Sequence, residues 1–236
     1  DIAEERLRRA VARFVASTTG VERDWATEVT ITTGATEAIY ATVNAFVNPG
    51  DRVVVFEPLY DSYAQAVAQA GGVLVPIRLH APGWTIDWAE LDRACAAGFT
   101  LLILNSPHNP TGKVFGEDEL ARIAAAVRAA GAIALCDEVY EQMTYDGARH
   151  VSLSSLPEVR DQVVRISSAA KTFGFTGLKV GWATASRALS AAVRLVHQAT
   201  VFSTTPFLQT AIAEVLEDEA WLARYLGLPL VVGGDL

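Results

Sequence analysis

The chain has 236 residues, 51% hydrophobic and 19% charged, enough apolar material for one large core or for a core and part of a second. It contains no run of 18 uninterrupted apolar residues, and a net charge of −8 would repel nucleic acid and anionic membrane surfaces alike. A globular protein acting on a small molecule is the expectation. With no such apolar run and a charged helical pattern at the start, the cytoplasm is the expected compartment; Cys95 and Cys136 are far apart and support neither a disulfide framework nor a zinc cluster.

The opening "DIAEERLRRA" is a charged helical pattern rather than a leader, and it predicts an amphipathic helix over about residues 2–16. Beyond Gly20, strands and helices alternate. "VTIT", "RVVVFEP", "GGVLVPIRL", "TLLILNSP", "AIALCDE" and "VVRISS" read as short buried strands, with helical patterns such as "ATEAIYATVNAFV" and "GEDELARIAAAVRAAG" between them. The pattern predicts an α/β fold whose mostly parallel sheet is sandwiched by helices. Only about ten residues separate "VVRISS" from the next strand, "LKVGWAT", too few for a helical crossover, so that pair is expected to be antiparallel and the sheet mixed. The last forty or so residues read as helical until "GLPLVVGGDL" breaks the pattern with glycine and proline.

Ligands of open α/β sheets bind where strands end, which directs attention to the residues after each apolar run. "TITTGATEA" ends a strand in glycine and opens a helix, so the amides around Gly34, Ala35 and Thr36 point at whatever sits there, and an anion suits that place. Plain turn chemistry would produce the same letters. "ALCDEVY" leaves Asp137 at the end of a buried strand, where a carboxylate needs a cation or a set of donors. It could cap the following turn or coordinate a metal in a nucleotide site. The nucleotide reading fails for want of a G-x-x-x-x-G-K-[ST] loop, and neither G-x-G-x-x-G nor G-x-S-x-G occurs. "LNSPHNPTG" is a loop stiffened by two prolines, suited to holding an amide side chain still, with His108 a structural residue. Lys171 follows a buried strand beside Ser167 and Ser168. Desolvated, its amine could attack a carbonyl to form a Schiff base; otherwise it is a surface lysine at a strand end. Lys179 is expected in the next strand, either facing an anion such as phosphate or as an outward edge charge.

Taken together, "TGATEA", "EPLYDSY", "NSPHNPTG", "CDEVY" and "SSAAKTFGFTGLKVGW" resemble, in order and spacing, the fold-type-I pyridoxal-phosphate aminotransferases of class I/II. The subgroup most similar holds kynurenine/glutamine transaminases, methionine aminotransferases and succinyldiaminopimelate aminotransferases. The resemblance runs from about residue 1 to about residue 220. It implies that Lys171 bonds covalently to pyridoxal 5'-phosphate and then shuttles a proton, and that Asp137 pairs with the cofactor's ring nitrogen. It further implies that Asn109 and Tyr140 donate to the ring oxygen and that Tyr60 stacks on the ring, although Tyr63 could exchange roles with Tyr60. Gly34, Ala35, Thr36, Ser168 and Lys179 would hold the phosphate, Lys179 standing where the family often has arginine.

The same resemblance implies transfer of an amino group from an L-amino acid to a 2-oxo acid. Two alternatives share the site: a carbon–sulfur β-lyase, and a non-catalytic domain that senses the cofactor. Residues 1–200 would be the cofactor-binding large domain and residues 201–236 the incomplete start of an interdomain helical region. Family members are longer at both ends, and the arginine that grips the substrate's α-carboxylate has no counterpart here, so this stretch alone is expected to be incompetent. A homodimer is implied as well, with "FSTTPF" reaching toward the neighbouring site.

Overall fold

The computed structural model describes residues 4–227. It opens with α1 (Glu5–Thr19), which begins and ends three residues later than the sequence suggests. Ser17, Thr18 and Thr19 turn their hydroxyls back onto the Phe14 and Val15 carbonyls and so complete a last turn. The helix then stops at Gly20, whose φ of 70° is a conformation glycine adopts without strain.

The chain continues through β1 (Val29–Thr32), α2 (Gly34–Phe46), β2 (Arg52–Glu57), α3 (Asp61–Gln69) and β3 (Val73–His80). A strand that the sequence did not announce, β4 (Thr85–Ile86), is too short to show alternation. Then come α4 (Trp88–Ala97), β5 (Leu101–Asn105), α5 (Glu117–Ala130), β6 (Ile133–Asp137), β7 (Val163–Ser168), the single turn α6 (Ala169–Thr172) and β8 (Gly181–Thr184). Helices α7 (Arg187–Thr200), α8 (Pro206–Glu217) and α9 (Glu219–Gly227) follow, while most of "GLPLVVGGDL" lies outside the described residues.

The eight strands form one sheet in the order β1-β8-β7-β6-β5-β2-β3-β4. Strands β3, β2, β5, β6 and β7 run parallel, whereas β8 is antiparallel to both β7 and β1, and β4 to β3. The mixed sheet, with its antiparallel pair after "VVRISS", is the one the spacing predicts. Strands β1, β5, β7 and β8 are buried along their whole length, as covering both faces of a sheet requires. Leu102, Leu104, Ala134 and Cys136 meet α4 and α5 on one face, and Val55, Ile103, Leu135 and Ile166 meet α2, α3 and α7 on the other. Beyond β7, α1 and α8 cover the first face, where Phe14 sets its ring edge-on to the fully buried Trp182.

Two features of this topology place the site. Side chains alternate along a strand, so Asn105, Asp137 and Ser168 face α2 and α3 at the strand ends, while Arg165 and Ser167 face the opposite way. Because β8 is antiparallel, it begins on the edge where β5, β6 and β7 end, and β1 ends there too. Thr32, Gly181 and Ser168 therefore lie side by side across that edge. Among the described residues, no helix is long and apolar enough to cross a membrane.

Candidate functional site

At this edge lies a cavity of about 250 Å³, bordered by every residue that the resemblance assigns to the cofactor, whereas His108 and Ser167 lie outside its lining. Gly34, Ala35 and Thr36 form the first turn of α2, and Tyr60 is the residue before α3. Asn109 lies in the loop after β5, Asp137 closes β6, and Tyr140 follows in the next turn. Ser168 closes β7, Lys171 is in α6, and Lys179 precedes β8.

The first turn of α2 has unpaired amides, which suits an anion. Gly34 has a φ of 75°, and a Cβ built on it would lie 3.5 Å from the Lys179 side chain. Gly181 matters more. A Cβ there would lie 2.6 Å from the Gly34 carbonyl carbon and 2.8 Å from the Ala35 nitrogen, so only a bare backbone lets α2 rest on β8. Glu37, in the same turn, is engaged by the Thr33 amide at 3.1 Å and by His197 at 3.2 Å.

Lys179 corrects one expectation: it does not belong to a strand. It ends a short turn over Thr176–Leu178 with a φ of 53°, the left-handed conformation that reverses the chain before β8 can pair. Lys171 Nζ sits 5.4 Å from the centre of the Tyr140 ring, a cation–π contact. The chain has only three lysines, and two of them border this cavity. The third, Lys113, is paired with Glu119 at 2.9 Å.

Asp137 is 4% exposed, and burial raises its pKa from 3.8 to about 6. Opposing that rise are the Tyr63 hydroxyl, donating to Oδ2 at 2.7 Å, the Val139 amide at 3.3 Å and, more weakly, the charge of Lys171. The hydrogen bond also distinguishes the two tyrosines. Tyr63 is buried with its hydroxyl committed to Asp137, and burial together with that carboxylate raises its own pKa well above the ordinary value. Tyr60 stands edge-on to it, 5.6 Å between ring centres, and is the ring left partly exposed.

The strand-end reading passed over Asn105. Its amide donates to the Asp137 carbonyl at 2.9 Å and its Oδ1 accepts from the Asn109 N–H at 2.7 Å, tying two loops of the site together. A polar residue closing an apolar strand was the available signal, the same one that picked out Asp137. His108 is part of the frame of its loop: Nδ1 is 2.8 Å from Thr111 Oγ1, and burial with the nearby Lys113 lowers its pKa to about 4.

Residues 2–226 match the family model described as aminotransferase class I and II. The chain belongs to that family. It is 38% identical over 223 residues to methionine aminotransferase of Escherichia coli K12, covering 94% of this chain and 57% of that aminotransferase. It is 44% identical over 220 residues to a probable N-succinyldiaminopimelate aminotransferase of Mycobacterium tuberculosis, covering 92% of this chain and 55% of the relative. Its fold superposes on a crystal structure from Escherichia coli with an identified methionine aminotransferase function, at a TM-score of 0.91 and 37% identity, over 95% of this chain and 59% of that one. The chain thus spans little more than half the length of the aminotransferases it matches.

Proposed function

We propose that this chain is the cofactor-binding part of a pyridoxal-phosphate-dependent aminotransferase that moves an amino group from an L-amino acid to a 2-oxo acid. The observation that carries the reading is the charge arrangement of the cavity. Asp137 is a buried carboxylate whose hydrogen-bond donors are both neutral, a setting that calls for a cationic ring nitrogen. The same cavity holds a helix N-terminus with Lys179 beside it, a setting that calls for a phosphate, and a second lysine able to act as a nucleophile.

When bound, pyridoxal phosphate would supply the electron-withdrawing ring that makes an amino acid's α-proton acidic. The chain's own residues would do the rest. Asp137 would keep the proton on the ring nitrogen, and Asn109 and Tyr140 would donate to the ring oxygen. Tyr60 would cover one ring face and exclude water. Gly34, Ala35, Thr36, Ser168 and Lys179 would bind the phosphate; the Ser168 hydroxyl makes no bond to the turn it precedes and is available for this. Lys171 would anchor the cofactor and, once freed, carry the α-proton on Nζ.

Residues 1–200 would form the large domain and residues 201–236 the start of an interdomain helical region. This stretch alone would bind the cofactor without turning substrate over, consistent with its coverage of 57% and 55% of two relatives. The full protein would be a homodimer, since Phe202 and Phe207 are 59% and 71% exposed and a second copy would cover them. The cytoplasm is proposed as its compartment, on two cysteines that are both free.

An absorbance titration with pyridoxal phosphate, run beside Lys171→Ala, tests the reading. The wild-type chain is expected to shift the cofactor's band and saturate, whereas the variant leaves the spectrum that of free cofactor at the same concentrations. Identical spectra from the two proteins would remove Lys171 from its role.

A further inference from the structure

The face of the sheet turned away from the cavity carries an arginine for which the proposed chemistry has no use. Arg165, on β7, is fully buried. Its Nε donates to Glu138 Oε2 at 2.7 Å and its Nη2 to Glu141 Oε2. Ser152 donates to the other Glu138 oxygen at 2.7 Å, His150 Nε2 lies 3.1 Å from Glu138 Oε2, and Ser167 donates to Glu141 Oε1 at 2.6 Å. Burial alone would raise the Glu138 carboxyl, but Arg165, His150 and Ser152 together hold it below its ordinary value.

Such a cluster is a poor source of stability. Removing a guanidinium and two carboxylates from water costs several kcal/mol per ion, and apolar side chains of similar volume are often as stable or more so. Arg165 Nη1, moreover, has no partner among the described residues. Its place in the chain is more telling. Glu138 and Glu141 directly follow Asp137 and Tyr140, and the two pairs point to opposite sides of one short stretch: Asp137 and Tyr140 border the cavity, Glu138 and Glu141 meet Arg165. Backbone bonds tie this stretch at Glu138 N–H to the Ile166 carbonyl, 2.8 Å, at Glu141 N–H to the Glu138 carbonyl, 2.9 Å, at the Asp137 carbonyl to the Ser106 N–H, 3.1 Å, and at the Tyr140 carbonyl to the Met143 N–H, 2.7 Å. On the side away from the cavity, the Glu138 and Glu141 side chains add a second hold on it through Arg165.

We propose that Arg165 is a positioning residue: by gripping Glu138 and Glu141 from behind, it sets the orientation in which Asp137 and Tyr140 meet the cofactor. The inference rests on reading the cavity as a pyridoxal phosphate site. A planar fork suits the task, since its separate nitrogens reach two carboxylates at once, whereas a lysine offers one point charge.

Two variants test it. Arg165→Lys keeps the charge and loses the fork. Arg165→Met combined with Glu141→Gln removes one charge of each sign and leaves Glu138 its bonds to His150 and Ser152. Each is measured for melting temperature, for amide hydrogen exchange of residues 138–141 in cofactor-free protein, and for its dissociation constant for pyridoxal phosphate. Both are expected to fold, to exchange faster at 138–141 but not along β5, and to bind the cofactor about tenfold more weakly. Wild-type affinity in either folded variant overturns the proposal. So does global unfolding of Arg165→Lys, which would reveal a role in stability instead. If only the double variant unfolds, Arg165→Lys decides by the same criteria. Should the wild-type chain take up no pyridoxal phosphate, the reading of the cavity falls, and the exchange data then decide separately: faster exchange confined to 138–141 supports the grip of Arg165 on this stretch, and unchanged exchange overturns it.

Discussion

Asp137→Asn is expected to make the cofactor-free protein more stable at pH 7.5 while weakening its hold on pyridoxal phosphate by about thirtyfold or more. The opposing effects have one cause. Burial raises the carboxyl from 3.8 to about 6, so between these values the folded chain holds a proton that the unfolded chain has released. Stability therefore falls as pH rises through that window and stays lowered above it. A shift of this size corresponds to about 3 kcal/mol. Asparagine carries no such penalty and can still meet the Tyr63 hydroxyl. Its melting temperature should exceed that of the wild type by about 2–8 °C at pH 7.5, and the gap should close below about pH 4, where both side chains are neutral. In the bound state the sign reverses: the carboxylate whose burial costs stability in the cofactor-free protein is the partner of a cationic ring nitrogen, and an amide cannot replace it. Thermal melts at the two pH values and a cofactor titration check both halves.

Gly181→Ala has the next largest expected effect, although it adds only one methyl group. The added Cβ would lie 2.6 Å from the Gly34 carbonyl carbon, 2.8 Å from the Ala35 nitrogen and 2.9 Å from the Gly34 Cα. All three are backbone atoms, which cannot swing aside as a long side chain would. Relief requires the first turn of α2 to lift off β8, at about 1–3 kcal/mol of stability. The amides proposed to hold the phosphate move with it, so cofactor affinity should fall more than the melting temperature suggests. Gly177→Ala is the matched control: a Cβ there meets nothing within 4 Å, and its stability and binding should stay near wild type. Equal behaviour of the two variants would argue against α2 resting on β8.

The strands and helices were legible because burial imposes a period on the letters. Runs such as "TLLILN" and "AIALCD" carry no period of their own, but their shortness between turn signals favours a buried strand over a helix. The cavity was legible through a geometric rule: in a sheet of this kind the residues just beyond apolar strands meet at one edge, so Asp137, Ser168 and Lys171 could be picked out without coordinates. What escaped depends on contacts between distant parts of the chain. Gly181 is decisive only because Gly34 and Ala35 lie on it. Arg165 passed as one letter of a buried strand, since the carboxylates it grips come 24 and 27 residues earlier. Lys179 was misplaced by a single left-handed residue that hydrophobic patterning does not register. Tyr60 and Tyr63 are separated by a hydrogen bond, not by any feature of "EPLYDSY".

The most direct test of the proposed site is where the cofactor attaches. Pyridoxal phosphate at a concentration near that of the chain is mixed with it, the lysine–cofactor bond is fixed by borohydride, and the digested protein is mapped by mass spectrometry. Lys113, Lys171 and Lys179 are the only lysines, so the result is one of few. A single adduct on Lys171 is expected. An adduct on Lys179 or Lys113 with Lys171 unmodified would contradict the assignment of the cavity.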